Sequence, residues 1–368
     1  MKLGGVARRT IEPAQDGAAV LVLDQTRLPF STAWRRLATL SEAADAIRRM
    51  VVRGAPLIGV TAAYGVWLAM RADATDAGLA RAVDLLGATR PTAVNLRWAL
   101  ERARRALAPL PPAARAAAAR TLADRLADED VATNRAIGRH GAALLRDALA
   151  RRGGRGRVQV LTHCNAGWLA TVDVGTALAP VYEAFDAGVP VHVFVDETRP
   201  RNQGARLTAF ELAEHGVPCT LVADNAGGHL LQHREVDLVL VGADRVTATG
   251  DVANKIGTYL KALAAKDAGV PCYALFPTST VDWTLSDGVA EIPIEERDPR
   301  EVTTVEGVAP DGTVVAVSVA PWGVLARNPA FDVTPARLLT GLVTERGVCA
   351  ASREGLASLR PPTSGDRP

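Results

Sequence analysis

The sequence predicts an α/β protein: a mainly helical N-terminal domain followed by a Rossmann-like parallel-sheet domain. Three observations predict it. Up to residue 149 the apolar residues recur mostly at helical spacing. Beyond residue 157, short apolar runs bounded by Gly, Pro and Asp alternate with helical stretches, the texture of βαβ units. Between the two lies RRGGRGR (151–157), whose glycines and arginines form no core and read as a solvated linker. The expected division is therefore 1–150, a linker at 151–157, a sheet domain at 158–355 and a flexible tail at 356–368.

Taken in order, residues 1–30 read as short strands and turns, with AAVLVLDQTRLPF (18–30) as a hairpin or edge strand. SEAADAIRRMVV (41–52) reads as a helix with Ser41 as its N-cap. RGAP (53–56) interrupts it, because Gly54 and Pro56 both disfavour continuation. IGVTAAYGVWLAM (58–70) is apolar nearly all round and reads as a buried helix. Further helices are expected over 94–107, 111–134 and 136–149. Strands are expected at 158–161, 191–195, 219–222, 238–241, 272–276 and 314–319.

Composition narrows the function. The net charge of +2 argues against a polyanionic partner such as nucleic acid. The four cysteines form no CxxC pair and the six histidines show no zinc-like spacing, so neither a disulfide framework nor a metal site is expected. No GxGxxG follows a strand and no GxxxxGK[ST] loop is present, which argues against a dinucleotide or P-loop cofactor. The N-terminus lacks a signal-type apolar segment and no run has the length of a membrane span, so a cytoplasmic protein is expected.

Two apolar runs end on reactive groups. VQVLTHCNAG (158–167) stops at Cys164, and LVLVGADRV (238–246) stops at Asp244. Open parallel sheets place their chemistry at such strand ends. The plainer readings are a buried core thiol and a helix cap. His163 is expected on the opposite side of the strand from Cys164, as a structural histidine. Arg245 is expected to turn outward or toward another acid. In GDVANKIGTY (250–259), Asp251, Asn254 and Lys255 lie at the start of a helical pattern, where Asn254 and Lys255 suit hydroxyls and phosphate. DETRPRNQGARLTAFEL (196–212) offers Asp196, Glu197, Arg199 and Arg206, with Gln203 placed to donate to a sugar oxygen. RGAP and RPTAVN (90–95) each join an arginine, Arg53 or Arg90, to a backbone break that turns amides toward an anion or marks a helix junction. The set suits a small phosphorylated sugar, with a thiol and a carboxyl moving protons.

With these motifs in place, the chain resembles the family of 5-methylthioribose-1-phosphate isomerases that also contains the alpha, beta and delta subunits of translation initiation factor 2B. The resemblance covers about 26–320 and rests on RGAPLIG, RPTAVNLRWAL, LTHCNAG, VDETRP, QGARLTAFEL, DNAGG, VGADRV, GDVANKIGTY, PTSTVDWT and IPIEER. It implies interconversion of 5-methylthioribose 1-phosphate and 5-methylthioribulose 1-phosphate in methionine salvage, without cofactor, by a homodimer. It also implies catalytic roles for Cys164 and Asp244, and substrate binding by Arg53, Gly54, Ala55, Arg90, Gln203, Asn254 and Lys255. The regulatory subunits, by the same resemblance, lack the paired thiol and carboxylate. One departure is Gly228, where the family pattern carries alanine. Alternatives are an isomerase of 5-deoxyribose 1-phosphate or ribose 1,5-bisphosphate, and a nonenzymatic regulatory subunit.

Overall fold

In the computed structural model, which describes residues 2–360, a short antiparallel hairpin of Lys2–Leu3 and Val6–Ala7 precedes a three-stranded antiparallel sheet of Ile11–Pro13, Val20–Leu23 and Trp34–Leu37. Val20–Leu23 is the central strand of that sheet, paired on both sides rather than an edge. Helix α1 (Leu40–Arg48) follows. Its cap is Thr39, not Ser41: the Thr39 hydroxyl accepts from the Glu42 amide, and the Glu42 carboxylate reaches back to the cap.

Helix α2 (Ala55–Ala72) begins directly after Gly54 and is buried along most of its length. It packs against α1, α3 (Asp76–Gly87), α4 (Val94–Leu107) and α5 (Pro112–Arg151). Among the described residues it is the one helix long and apolar enough to cross a membrane, and its neighbours cover that apolar surface.

Helix α5 corrects the expectation of two helices at 111–134 and 136–149, since one helix runs from Pro112 to Arg151. No proline interrupts this stretch. What changes is the surface beneath it. Its first half packs into the helical core through Leu122, Leu126 and Val131. Its second half packs on the parallel sheet through Ile137, Ala142 and Leu145. At about 1.5 Å per residue the helix is roughly 60 Å long, and both cores rest on it.

The main sheet has seven strands in the order Gly347–Cys349, Gly341–Thr344, Cys272–Leu275, Leu238–Val241, Val158–His163, Val191–Asp196, Cys219–Val222. All are parallel except the outermost, Gly347–Cys349. The chain enters at Val158–His163, builds outward to Cys219–Val222, then returns to the other side of its first strand at Leu238–Val241. These two central strands diverge in connection there, which is the topological switch point where open α/β sheets bind ligands. Helix α5 and Ala179–Asp186 cover one face, and Thr258–Ala268 packs on the other.

The 314–319 run does not join this sheet. Val314–Ser318 pairs antiparallel with Thr304–Val308 as an exposed hairpin. The intervening Pro310-Asp311-Gly312 closes a tight turn, with Gly312 at φ +85° and the Ala309 amide bonded to the Thr313 carbonyl. Two strands joined by so short a turn pair antiparallel, since a parallel pair needs a long crossover. At the other end, helix Arg353–Ser358 buries Leu356, so the first residues of the expected tail are anchored; 361–368 lie outside the described residues.

Candidate active site

Cys164 is the first residue beyond the Val158–His163 strand, and it turns the chain in the left-handed conformation at φ +68°. A non-glycine residue there costs roughly 1–2 kcal/mol. Two hydrogen bonds oppose that cost. The Cys164 amide donates to the Thr198 hydroxyl at 2.9 Å, and its carbonyl accepts from the Thr208 hydroxyl at 2.7 Å. The residue is 7% exposed. Burial pushes the thiol above its ordinary pKa, while Arg53 and Lys255 pull it down and Asp244 adds to the rise.

Asp244 follows the neighbouring strand, Leu238–Val241. It is not a helix cap: the chain passes directly into strand Arg245–Thr247, which pairs antiparallel with Val252–Lys255. The Asp244 amide bonds the Ala253 carbonyl at 2.9 Å. This small second sheet folds Asn254 and Lys255 back beside Asp244, so these two residues stand at a strand end rather than at a helix start. Protein surrounds the Asp244 carboxyl, although one edge stays partly accessible. Burial raises its pKa, Lys255, Arg90 and Arg53 oppose the rise, and Glu295 reinforces it. Lys255 shows the mirror effect: burial lowers its pKa against the pull of Cys164 and Asp244. Thiol, carboxyl and ammonium therefore share one electrostatic environment.

The remaining predicted residues surround this group unevenly. The Arg53 guanidinium is cradled by Asn165, donating to its side-chain oxygen at 2.6 Å and its backbone carbonyl at 2.8 Å. Gly54 and Ala55 open helix α2, whose N-terminus has no side-chain cap. Arg90 pairs with Glu295 at 2.9 Å, and Glu295 is also held by Arg297. Lys255 donates to the Ala330 carbonyl at 2.9 Å and lies over the Phe331 ring. Asn254 donates to the Thr258 hydroxyl at 3.0 Å, which leaves its carbonyl oxygen to face the Gly242 side of the site. Gln203 leads into a π-turn at Gly204–Thr208 and is buried, with its carbonyl oxygen unpartnered.

The adjacent residues Arg53 and Gly54 line two different cavities. One, of about 380 Å³, is lined by Arg53, Gln203, Gln25, Arg201 and Arg206. The other, narrow at about 40 Å³, is lined by Gly54, Ala55, Arg90 and Asp244. A larger cavity of about 410 Å³ lies between α2, α4, α5 and the Pro277–Ser279 turn and holds none of the predicted residues.

Other polar groups from the sequence reading take supporting positions. His163 is buried, with Nδ1 2.9 Å from Asp196 and Nε2 2.8 Å from the Ile256 carbonyl. Since a carbonyl only accepts, Nε2 carries a proton. The His163, Asp196 and Asp224 ligand atoms lie close enough to hold a metal ion, but the Lys261 ammonium sits among them, 3.2 Å from Asp196 and bonded to the Asp224 carbonyl. Arg245 turns to Asp282 and the Thr92 carbonyl. Asp251 accepts from the Gly288 and Ala336 amides as a structural carboxylate. Arg199 bonds the Pro200 and Val302 carbonyls, and Arg206 pairs with Glu306. Sequence reading did not single out Asn165, Glu211 or Glu295. Each lay inside a quoted motif, and the only signal was a polar residue within an otherwise apolar or basic block.

The sequence matches the initiation factor 2 subunit family over residues 51–351. It is 66% identical to a methylthioribose-1-phosphate isomerase of Methylorubrum populi, over 98% of each chain. Among solved structures it is similar to the 5-methylthioribose 1-phosphate isomerase of Pyrococcus horikoshii OT3, with a TM-score of 0.82 and 38% identity over 96% of each chain. It is also similar to a structure described as translation initiation factor eIF-2B subunit delta from A. fulgidus, with a TM-score of 0.78 and 37% identity over 96% of this chain and 99% of that one.

Proposed function

The chain belongs to the initiation factor 2 subunit family, and from that premise we propose that it is an aldose–ketose isomerase converting 5-methylthioribose 1-phosphate to 5-methylthioribulose 1-phosphate in methionine salvage. The observation that carries this reading is the convergence of Cys164, Asp244, Lys255 and Arg53 at the switch point of the sheet.

The substrate bears its phosphate on the anomeric oxygen, so it cannot open to a free aldehyde. Ring opening therefore needs an acid at the ring oxygen. Asp244 fills that role, because its raised pKa favours the protonated form. Breaking the bond from C1 to the ring oxygen leaves positive charge at C1. The C2 hydrogen then reaches C1 by one of two routes. In a hydride shift it moves with its electron pair, and the C2 hydroxyl gives its proton to the Asp244 carboxylate as the ketone forms. In the enol route a Cys164 thiolate takes the C2 hydrogen as a proton to give the C1–C2 enol, the thiol returns a proton to C1, and the C2 hydroxyl gives its proton to the Asp244 carboxylate as the ketone forms. A substrate deuterated at C2 separates them: retention of the label at C1 supports the shift, and washout supports the enol.

Binding follows from the cations and dipoles. Arg53, Lys255 and the uncapped N-terminus of α2 at Gly54 and Ala55 hold the phosphate. Gln203 and Asn254 take hydroxyls, and Arg90, neutralised by Glu295, forms the wall beside Asp244. These groups supply acid, charge neutralisation and orientation without a metal or nucleotide, so activity should survive exhaustive EDTA treatment. The protein is read as a cytoplasmic homodimer without nucleic-acid or membrane partners. Light scattering should give about twice 38.7 kDa, and a mass near 38.7 kDa would refute the dimer.

The direct test is to incubate purified, reduced protein with 5-methylthioribose 1-phosphate and follow the ketose by NMR. No turnover by folded protein sinks the reading. Relative kcat/KM against 5-deoxyribose 1-phosphate and ribose 1,5-bisphosphate sets preference at C5. A regulatory-subunit reading rests on the 37% identity to the eIF-2B delta structure. Co-purification with an exchange factor, without sugar turnover, would favour it.

A further inference from the structure

Glu211 is a carboxyl with no exposed surface, on the short helix Ala209–His215, and it faces the loop that follows Cys164. Both of its oxygens accept. Oε1 takes the Asn165 side-chain amide at 3.0 Å, and Oε2 takes the Leu169 backbone amide at 3.1 Å. Gly167 lies against it so closely that an added Cβ would fall 1.4 Å from Oε1.

The directions of the bonds at Thr208 and Asn165 are determined. The Thr208 hydroxyl gives its proton to the Cys164 carbonyl, so at 3.1 Å it accepts from the Asn165 amide. Glu211 accepts from the same amide nitrogen. The Asn165 NH2 is thus committed toward Thr208 and Glu211, and its carbonyl oxygen is committed toward Arg53. Resting on the isomerase reading above, we propose that Glu211 is a positioning residue for that reaction: it locks the Asn165 amide and so holds the Arg53 guanidinium in place for the substrate phosphate. Arg53 also works on Glu211, pulling the carboxyl toward its ionised form against burial.

Glu211→Gln tests this. A glutamine presents NH2 in place of one oxygen and meets an N–H donor head-on at either position. Asn165 relieves the clash at its own position only by flipping, which turns its NH2 toward the Arg53 guanidinium. The expected result is a KM for 5-methylthioribose 1-phosphate raised on the order of 10-fold, with kcat changed far less, in protein with parental circular dichroism. Combined with Arg53→Ala, the Glu211→Gln effect on KM should vanish, because the guanidinium it positions is gone. A merely structural carboxyl would lower kcat through lost active protein, and its effect would add to that of Arg53→Ala. Parental KM in Glu211→Gln, or full additivity in the double variant, overturns the proposal. If Glu211→Gln does not fold, Asn165→Ala carries the same expectation and the same refuting outcomes. Turnover by the parent protein separates the cases: if the parent is inactive, the isomerase reading fails, and if the parent is active with unchanged KM in these variants, the positioning role alone fails.

Discussion

Gly54→Ala is the perturbation that most directly couples packing to the site. Gly54 lies at φ +91°, ψ +137°, a region that side-chain-bearing residues rarely adopt. An ideal Cβ built there meets the Ala170 oxygen at 2.3 Å, its Cα at 2.5 Å and its Cβ at 2.6 Å. The first two contacts are with backbone, so no rotamer change relieves them. Backbone strain of this kind costs about 1–3 kcal/mol, and overpacking against fixed atoms costs about 1–3 kcal/mol more. The expected loss is therefore about 2–6 kcal/mol, a large share of the roughly 5–15 kcal/mol that holds a typical domain folded. Relief requires RGAP and the loop after Cys164 to separate, and that movement carries Arg53 away from Asn165. The variant should lose stability in a urea titration and show a raised KM in whatever fraction remains folded. Gly228→Ala is the matched control. Gly228 lies within the helix Ala226–Gln232, and nothing stands within 4 Å of an added Cβ. There alanine should be neutral or stabilising by about 0.5–1 kcal/mol. A Gly54→Ala midpoint within about 0.5 kcal/mol of the parent, or equal effects at both positions, would refute the reasoning.

Cys164→Ser and Asp244→Asn should each lower kcat by roughly 10²–10⁴ while leaving the urea midpoint near that of the parent, and near-parental kcat in either folded variant would remove that residue from the chemistry. Arg90→Ala should raise KM and weaken packing around Asp244, since it strips Glu295 of one of its two arginines; unchanged KM and kcat would argue against a pocket role. Burial raises the Glu211 pKa to about 8, against an ordinary value of 4.5. The folded protein thus holds this proton more tightly than the unfolded chain, so Glu211's contribution is full below about pH 4.5 and lost as pH rises through about 8. Asp130, raised to about 7, acts in the same sense. The Tm difference between parent and Glu211→Gln should therefore shrink from pH 5 to pH 8, and a constant difference would contradict the assignment.

The ends of the two central strands were legible because they are local events. An apolar run that stops at a thiol or a carboxyl is visible within ten residues, and parallel sheets gather such ends on one edge. The local structure of the Asn254–Lys255 pair was not legible. Its strand is only four residues long and ends at Lys255, and Gly257, two residues on, turns left-handed at φ +103° against the His163 ring. Nothing in GDVANKIGTY separates that turn from a helix start. Helix α5 was misread for a related reason. Its apolar stripe changes partners near Asn134, from helices to sheet, and a change of partner resembles a break when only spacing is read.

What stayed hidden was the set of carboxylates that surround the candidate site. Glu211 is 46 residues from Asn165, and Glu295 is 205 residues from Arg90. Their importance comes from meeting a donor that the fold brings to them. In sequence each is one carboxylate among 40. Burial gives them consequence, because a carboxyl without water must be satisfied by fixed N–H groups or by a cation. Those same N–H groups and cations then lose their freedom to point elsewhere. At this switch point the constraint passes from Glu211 through Asn165 to Arg53, whose positive charge already reaches both Cys164 and Asp244. Cys164 and Asp244 are written at two strand ends, and their electrostatic setting is written in part in carboxylates that only the tertiary fold connects to them.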